Sequence, residues 1–160
     1  MKLAGPTAIV LDTTPLGLIT QRPGHVGGDA CRAWYGTLSG IGCRFFVPEI
    51  ADYEVRRELL RAKKADGIQR LDDFISADPA RYLPLTTEQV RRAALLWAQA
   101  RQGGLVTAPP EALDGDVLIA AQAESVMPAD FSLSGRVVAT QNVRHFGALT
   151  TAVLWSDLIP

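Results

Sequence analysis

The sequence has few of the residues that usually mark a zinc site or a redox site. Cysteine occurs twice, as Cys31 and Cys43, and the two residues form no Cys-x-x-Cys motif. Histidine also occurs twice, without the spacing that a zinc finger needs. The sequence therefore gives no support for a zinc site, and two reduced structural thiols are favoured over a disulfide.

Positive charge is not in excess either. The formal net charge is −1 over 160 residues, so the chain is not a globally basic nucleic-acid-binding protein. Any polyanionic partner must be met by a local patch. The basic candidates are Arg56, Arg57, Arg61 and Lys64 in one helical segment, together with Arg144 near the end of the chain. These residues are candidate contacts to RNA phosphates, and a solvated helix face accounts for the first four equally well.

Long apolar runs are missing as well. Gly5 and Pro6 interrupt the apolar N-terminal stretch, Asp12 ends it, and no run approaches the ~20 apolar residues of a membrane helix. We therefore expect a cytoplasmic protein with neither a signal peptide nor a membrane span. The apolar fraction of 48% and the charged fraction of 21% are ordinary for a globular protein. The length predicts one domain over residues 1–160.

Short apolar segments alternate with amphipathic ones along the chain. The short segments predict buried strands at residues 8–11, 43–47, 82–85, 137–139 and 152–155. The amphipathic segments predict helices at residues 29–38, 48–65, 68–76, 86–102 and 114–125, with Asp29 and Thr86 as N-caps and a loop at 105–112. Strands separated by helices predict an α/β sandwich with a mainly parallel sheet.

Acidic side chains stand where several of these elements begin or end. Asp12 follows the first strand, and Asp114 and Asp116 lie at the predicted start of a helix. Parallel sheets bind ligands beyond the carboxyl ends of their strands, although an acid at a helix start is by itself more often a cap. Glu54 lies on the inward side of its helix, where a carboxylate is costly unless something neutralises it. Glu58, one turn later, is the alternative to Glu54.

Several carboxylates from separate elements form the kind of site that Mg²⁺ or Mn²⁺ prefers. These ions take few protein oxygens, keep some of their waters and bind the phosphate oxygens of a substrate. In such a site the ion activates a water molecule and neutralises charge on the phosphate under attack. The pattern of acids therefore favours a magnesium-type site that acts on a phosphate.

Four stretches carry the most specific sequence information. They are Ile9-Val10-Leu11-Asp12-Thr13-Thr14-Pro15-Leu16, Ile50-Ala51-Asp52-Tyr53-Glu54-Val55, Asp116-Val117-Leu118-Ile119-Ala120-Ala121-Gln122-Ala123 and Val138-Ala139-Thr140-Gln141-Asn142-Val143-Arg144-His145-Phe146. In this order they resemble the motifs of the PIN-domain family, especially the VapC-type toxins of toxin–antitoxin pairs. The likeness spans residues 8–155. It implies a PIN-like three-layer α/β/α sandwich around a mainly parallel central sheet.

The resemblance also implies an activity and a set of site residues. Asp12, Glu54 and Asp116 match the family's metal-binding acids, so the chain is expected to be an Mg²⁺- or Mn²⁺-dependent endoribonuclease that hydrolyses RNA phosphodiester bonds. Such an endoribonuclease can be the toxin of a type II toxin–antitoxin pair, so the resemblance also gives an antitoxin protein as an expected partner. A homodimer is expected too, and the sequence supports it with a set of apolar side chains in the helices of residues 48–76: Leu59, Leu60, Ile68, Leu71, Phe74 and Ile75.

The last motif departs from the family at one position. Asn142 stands where many members have a fourth Asp, and an amide cannot supply the missing charge, so the number of metal ions, one or two, stays open. Asn142, Thr140 and Asp114 are expected next to the metal ligands rather than among them. The alternative reading is a catalytically weak PIN-like module that binds RNA or a protein. A haloacid-dehalogenase-type phosphatase is excluded because Thr14 stands where its second Asp is needed.

Overall fold

The computed structural model describes residues 1–103, 110–147 and 149–160, and for residues 110–112 it describes the backbone alone. These residues form a five-stranded sheet with the order β3-β2-β1-β4-β5. The strands are β1 (Ala8–Leu11), β2 (Arg44–Pro48), β3 (Tyr82–Leu83), β4 (Arg136–Thr140) and β5 (Ala152–Leu154). Every pairing in this sheet is parallel. The carboxyl ends of the strands therefore share one edge, as the sequence predicts.

The helices in the described part of the chain are α1 (Thr13–Ile19), α2 (Val26–Gly40), α3 (Glu49–Arg61), α4 (Ala65–Ser76), α5 (Thr87–Gln102), α6 (Pro110–Ser125) and α7 (Val143–Phe146). They flank the sheet, which confirms the predicted PIN-like α/β/α sandwich. Thr86 caps α5 through the predicted capping box with Gln89. Across the described residues, no helix is long and apolar enough to cross a membrane.

The core is built around the central strand. All four residues of β1 are fully buried, and Ile9 is paired with Phe45 of β2 on one side and Val137 of β4 on the other. Burial on both faces explains why β1 is continuously apolar rather than alternating. A second buried cluster lies where α5 packs on α6, with Leu96 and Val117 among its members. The helix α6, which carries Asp114 and Asp116, is thus packed against α5 through this second cluster.

Two predicted helix boundaries are wrong for reasons that the packing explains. Residues 48–65 were expected to form one helix that ends at Asp66 and Gly67, but α3 ends at Arg61 and α4 already begins at Ala65. The break falls at Lys63, which adopts a left-handed φ of 53°. Gly67 is not a helix breaker here. A Cβ on Gly67 would lie 2.7 Å from Leu59 Cδ2, so the glycine lets α4 approach α3 closely.

The start of α2 also differs from the prediction. Asp29 was expected to cap the helix, but the helix begins at Val26 and His25 is its N-cap, with Nδ1 accepting a hydrogen bond from the Gly28 amide. Asp29 instead lies in the first turn and pairs with Arg32. An imidazole nitrogen can take the part of the usual hydroxyl or carboxylate at this position.

The last boundary concerns the helix that carries the candidate acids. Residues 110–112 were expected in a loop, but α6 begins at Pro110. Proline fits the first helical position because the amide it lacks has no partner there in any helix. The rest of the predicted loop, residues 105–109, lies outside the described residues. Asp114 and Asp116 are therefore more than one turn into α6, so the helix dipole does not account for them.

The apolar side chains that were expected to support a dimer interface are mostly internal. Leu71 is fully buried, and Phe74 packs edge-on against Tyr35 and lies under the Arg81 guanidinium. Leu60 is the member of this set that is largely exposed, at 60%. This surface thus provides little support for the homodimer, which stays a prediction from family resemblance.

Candidate metal centre

Asp12 lies directly beyond the carboxyl end of β1 and caps α1. Its Oδ1 accepts a hydrogen bond from the Thr13 amide at 2.6 Å, and its Oδ2 accepts one from Thr140 Oγ1 at 2.6 Å. Burial raises the pKa of Asp12, the two hydrogen bonds lower it, and the charge of Glu54 raises it again. The carboxylate is thus fixed in position by two neighbouring strand ends, yet it remains in an environment that disfavours its charge.

Glu54 reaches the same place from α3. The Thr13 hydroxyl donates a short hydrogen bond to Glu54 Oε2. On the other side, a Cβ added to Gly115 of α6 would lie 2.8 Å from Glu54 Oε1. Glu54 therefore lies between α1 and α6, and a side chain at position 115 would displace its carboxylate from this place. Glu58 instead pairs with Arg61 on the surface, so Glu54 is the inward-facing acid of the two.

Asp116 completes the group from α6. Its side chain is 13% exposed, and its Oδ2 lies 3.1 Å from His145 Nδ1. Oδ2 is buried and accepts no well-formed hydrogen bond from any described residue. The pKa of Asp116 is raised to about 6: burial raises it most, His145 opposes the rise, and the charges of Asp12 and Glu54 add to it. The charges of Asp12 and Glu54 are thus close enough to disfavour the ionisation of Asp116.

The expected neighbours of these acids are not all found beside them. The Thr140 hydroxyl donates a hydrogen bond to Asp12, and it also accepts one from the backbone amide of Asn142 at 2.8 Å. The exposed Asn142 side chain faces His145, with 2.9 Å between Nδ2 and Nε2. Asp114 is exposed and lines an apolar groove between α5 and α6 with Trp97 among its other lining residues.

A groove of about 400 Å³ runs beside Glu54 between α1, α3 and α4. Leu18 and Leu59 are among its apolar lining residues, and its charged lining residues are Glu54, Glu58, Arg61, Lys64 and Arg70. Two of the predicted phosphate contacts, Arg61 and Lys64, therefore lie in one groove with an acid of the centre. Arg70 was not predicted, because its place in the groove depends on how α4 packs.

The other predicted phosphate contacts lie elsewhere. Arg56 is held by Asp52 at 2.9 Å and by Asp72 at 2.6 Å, so its charge is already balanced within the fold. Arg57 lies over the Tyr53 ring, and Arg144 is exposed on α7. Of the five predicted cations, Arg61 and Lys64 are thus the two that line the groove beside Glu54.

The donor chemistry of the centre fits a hard divalent cation. Carboxylate oxygens are the ligands that Mg²⁺ and Mn²⁺ prefer, and the buried Oδ2 of Asp116 is an oxygen whose charge no hydrogen bond balances. Within the described ranges, no three His, Cys, Asp or Glu side chains are already gathered in a geometry that could hold an ion. An ion bridging Asp12, Glu54 and Asp116 would thus need side-chain adjustment, and it would relieve the repulsion that raises the pKa of Asp116.

Sequence reasoning missed two residues of this centre. Thr13 was seen only as part of a motif, yet it binds both Asp12 and Glu54. His145 was likewise seen only as part of a motif, yet its ring turns toward Asp116. The three-residue spacing of Asn142 and His145, which places them on one side of a helical turn, is the signal that was available.

Comparison with known proteins gives the family. The family model described as PIN domain matches residues 9–126, and the chain belongs to the PIN domain family. Members of this family are in general nucleases. No protein of curated function matches the chain.

Two solved structures have the same fold. FitAcB from Neisseria gonorrhoeae is 20% identical, with a TM-score of 0.63 over 94% of this chain and 99% of that one. VapBC2 from Rickettsia felis, which was crystallised bound to a DNA fragment from its promoter, is 15% identical, with a TM-score of 0.60 over 91% of this chain and 97% of that one. At these identities the likeness establishes the fold alone.

Proposed function

We propose that the protein is an Mg²⁺- or Mn²⁺-dependent endoribonuclease whose ligands are Asp12, Glu54 and Asp116. The observation that carries the proposal is the grouping of three carboxylates from β1, α3 and α6, in which burial and mutual repulsion raise the pKa of Asp116 to about 6. A carboxylate in a structural ion pair would have a lowered pKa instead. The raised pKa of Asp116 therefore indicates carboxylates whose charge a bound cation could neutralise.

Each residue of the centre has a distinct part in this mechanism. Asp12, Glu54 and Asp116 would hold the ion, which when bound supplies a more acidic water and charge neutralisation at the scissile phosphate. Thr13 orients Asp12 through its amide and Glu54 through its hydroxyl. Thr140 fixes the second oxygen of Asp12. Asp12 and Glu54 are thereby oriented, and further side-chain adjustment would bring the three acids around an ion.

The groove beside Glu54 supports a single-stranded polynucleotide as the substrate. Arg61, Lys64 and Arg70 can meet successive phosphates, while the apolar lining from Leu18 and Leu59 can contact sugars and bases. RNA rather than DNA is proposed from family resemblance. Because the net charge is −1, binding of a polyanion would depend on local cations such as these.

An antitoxin is the proposed protein partner. VapBC2 was crystallised with a DNA fragment from its promoter, and it shares this fold over nearly the whole chain. By analogy the partner would cover the acidic centre and lie along the adjoining groove. Homodimerisation is proposed on family resemblance alone.

The second candidate function is a PIN-like module that binds RNA or a protein with little catalysis. The observation that favours it is the amide of Asn142, which adds no negative charge beside the three acids. The two candidates share a fold and a groove and differ in whether a metal-dependent step follows binding.

A cleavage assay separates the two functions. A labelled single-stranded RNA and the all-deoxy strand of the same sequence are incubated with Mn²⁺, with Mg²⁺ or with EDTA. We expect cleavage of the RNA only, dependent on the metal and lost in Asp116→Asn and Glu54→Gln. Asp66→Asn, which makes the same chemical change at an exposed position of α4, is the matched control and keeps activity. Cleavage that survives Asp116→Asn contradicts the site, and metal-independent binding without cleavage favours the binding module.

A further inference from the structure

The side chain of Asn142 is linked to Asp116 through the ring of His145. Asn142 Nδ2 lies 2.9 Å from His145 Nε2, and His145 Nδ1 lies 3.1 Å from Asp116 Oδ2. Asn142 is the N-cap residue of α7, yet its side chain makes no capping hydrogen bond to a backbone amide of the helix. It therefore gives up the usual role of asparagine at this position and contacts the imidazole three residues later.

The atoms in this chain of contacts determine where the ring proton lies. An amide nitrogen carries two N–H groups and accepts no hydrogen bond, so His145 Nε2 must be the acceptor. A neutral imidazole has one proton, which is then on Nδ1, the nitrogen that faces the buried oxygen of Asp116. The protonated nitrogen thus lies 3.1 Å from a buried carboxylate oxygen, Asp116 Oδ2, that accepts no well-formed hydrogen bond from any described residue.

We propose that Asn142 is a positioning residue: its side chain holds His145 in the Nδ1–H tautomer, and His145 in turn holds Asp116 in place for the metal ion. The role of His145 at the metal ion rests on the proposed function. The tautomer of His145 rests on the contacts alone. The proposal explains an amide at the position where many family members have a fourth acid, because only a hydrogen-bond donor at this position leaves Nε2 as the acceptor.

An aspartate at position 142 would act in the opposite sense. A carboxylate only accepts hydrogen bonds, so contact with Nε2 requires a proton there. A neutral ring with its proton on Nε2 would direct the Nδ1 lone pair at the Asp116 oxygen. Asn142 is not isolated from the rest of the centre, since its backbone amide binds Thr140, which binds Asp12. One residue is therefore connected to two of the three acids.

The tautomer can be observed directly, because the protein has only two histidines. The Gly28 amide donates to His25 Nδ1 at 3.0 Å, so neutral His25 must carry its proton on Nε2. Long-range ¹H–¹⁵N spectra of metal-free protein at about pH 8.5, two units above the ordinary imidazole pKa, should show the two rings in opposite tautomers. His145→Ala assigns the signals. A wild-type His145 with its proton on Nε2 overturns the proposal.

Two sets of variants test the part played by Asn142. In Asn142→Asp we expect a proton on His145 Nε2, whereas Arg144→Ala, an exposed neighbour on the same turn, leaves both rings unchanged. Retention of an unprotonated Nε2 in Asn142→Asp would show that residue 142 does not set the tautomer.

The link to the metal is tested by Mn²⁺ calorimetry on Asn142→Ala, His145→Ala and the double variant. Removing a residue that orients a ligand typically lowers metal affinity about 10-fold or more. We expect the double variant to lose no more affinity than His145→Ala, because Asn142 acts through His145. Additive losses overturn the proposal. If wild type binds no Mn²⁺, the proposed function and the positioning role both fail, while the tautomer result still stands on the metal-free spectra.

Discussion

The carboxylate of Asp116 should make the metal-free protein less stable than it would be without that charge. The pKa of Asp116 is about 6 in the folded protein, against an ordinary value of 3.8. Each pH unit of difference corresponds to about 1.4 kcal/mol, so ionised Asp116 costs the folded state about 3 kcal/mol. Because the side chain is only 13% exposed, solvent screens little of this cost.

The perturbation is Asp116→Asn, which keeps the shape of the side chain and removes the charge. An acid with a raised pKa in the fold binds its proton more tightly there than in the unfolded chain. The wild type therefore loses stability as the pH rises from about 4 to about 6 and stays at the lower level above that range. In EDTA at about pH 8 we expect the variant to be more stable by about 3 kcal/mol, or roughly 6–12 °C in Tm. At about pH 3.5 the two proteins should have nearly equal stability.

Urea denaturation at the two pH values measures the effect. Asp114→Asn is the matched control, because it makes the same change two residues earlier on α6 at an exposed position, and it should alter the free energy of unfolding by less than about 0.5 kcal/mol. Equal stability of Asp116→Asn and wild type at pH 8 would refute the reasoning. So would a gain that persists undiminished at pH 3.5, because its cause could not be the charge.

Two further predictions follow from the geometry and the fold. Gly115→Ala should lower Mn²⁺ affinity and RNA cleavage, because its Cβ would lie 2.8 Å from Glu54 Oε1 and displace that carboxylate; the free energy of unfolding should not fall, since alanine favours a helix over glycine by about 1 kcal/mol. Unchanged Mn²⁺ affinity in calorimetry would place Glu54 outside the centre. The protein should also sediment as a dimer at micromolar concentration, and a monomer mass throughout that range contradicts the homodimer.

The order of elements could be predicted from the sequence because each one has a strong local pattern. β1 is a continuous apolar run that ends at a polar residue, and α5 begins with a complete capping box at Thr86. The boundaries that were wrong depend on contacts that no local pattern contains. Gly67 lies where α4 approaches the Leu59 side chain closely, and His25 caps α2 because its ring faces the Gly28 amide.

The candidate centre divides in the same way. The candidate acids could be named because motifs mark them, and Glu54 faces inward while Glu58 pairs on the surface. Their role as metal ligands stays a prediction. Thr140 was expected beside the acids, but Thr13 and His145, which also contact them, were not. Thr13 and His145 act on side chains 41 and 29 positions away in the sequence, so their partners are known only once the sheet has formed. Arg56 was expected to meet phosphate because its two acidic partners could not be seen.

The central position of β1 determines when, during synthesis, the acids meet. β1 is made well before β4, the strand with which it pairs, and Asp12 receives the Thr140 hydroxyl from 128 residues later in the chain. At roughly 5–20 residues per second, translation needs on the order of ten seconds to supply that partner. Until then a nascent chain has Asp12 without Thr140 and Asp116 without His145. For a protein proposed to cut RNA, this order of assembly delays the active arrangement until β4 and α7 have been made.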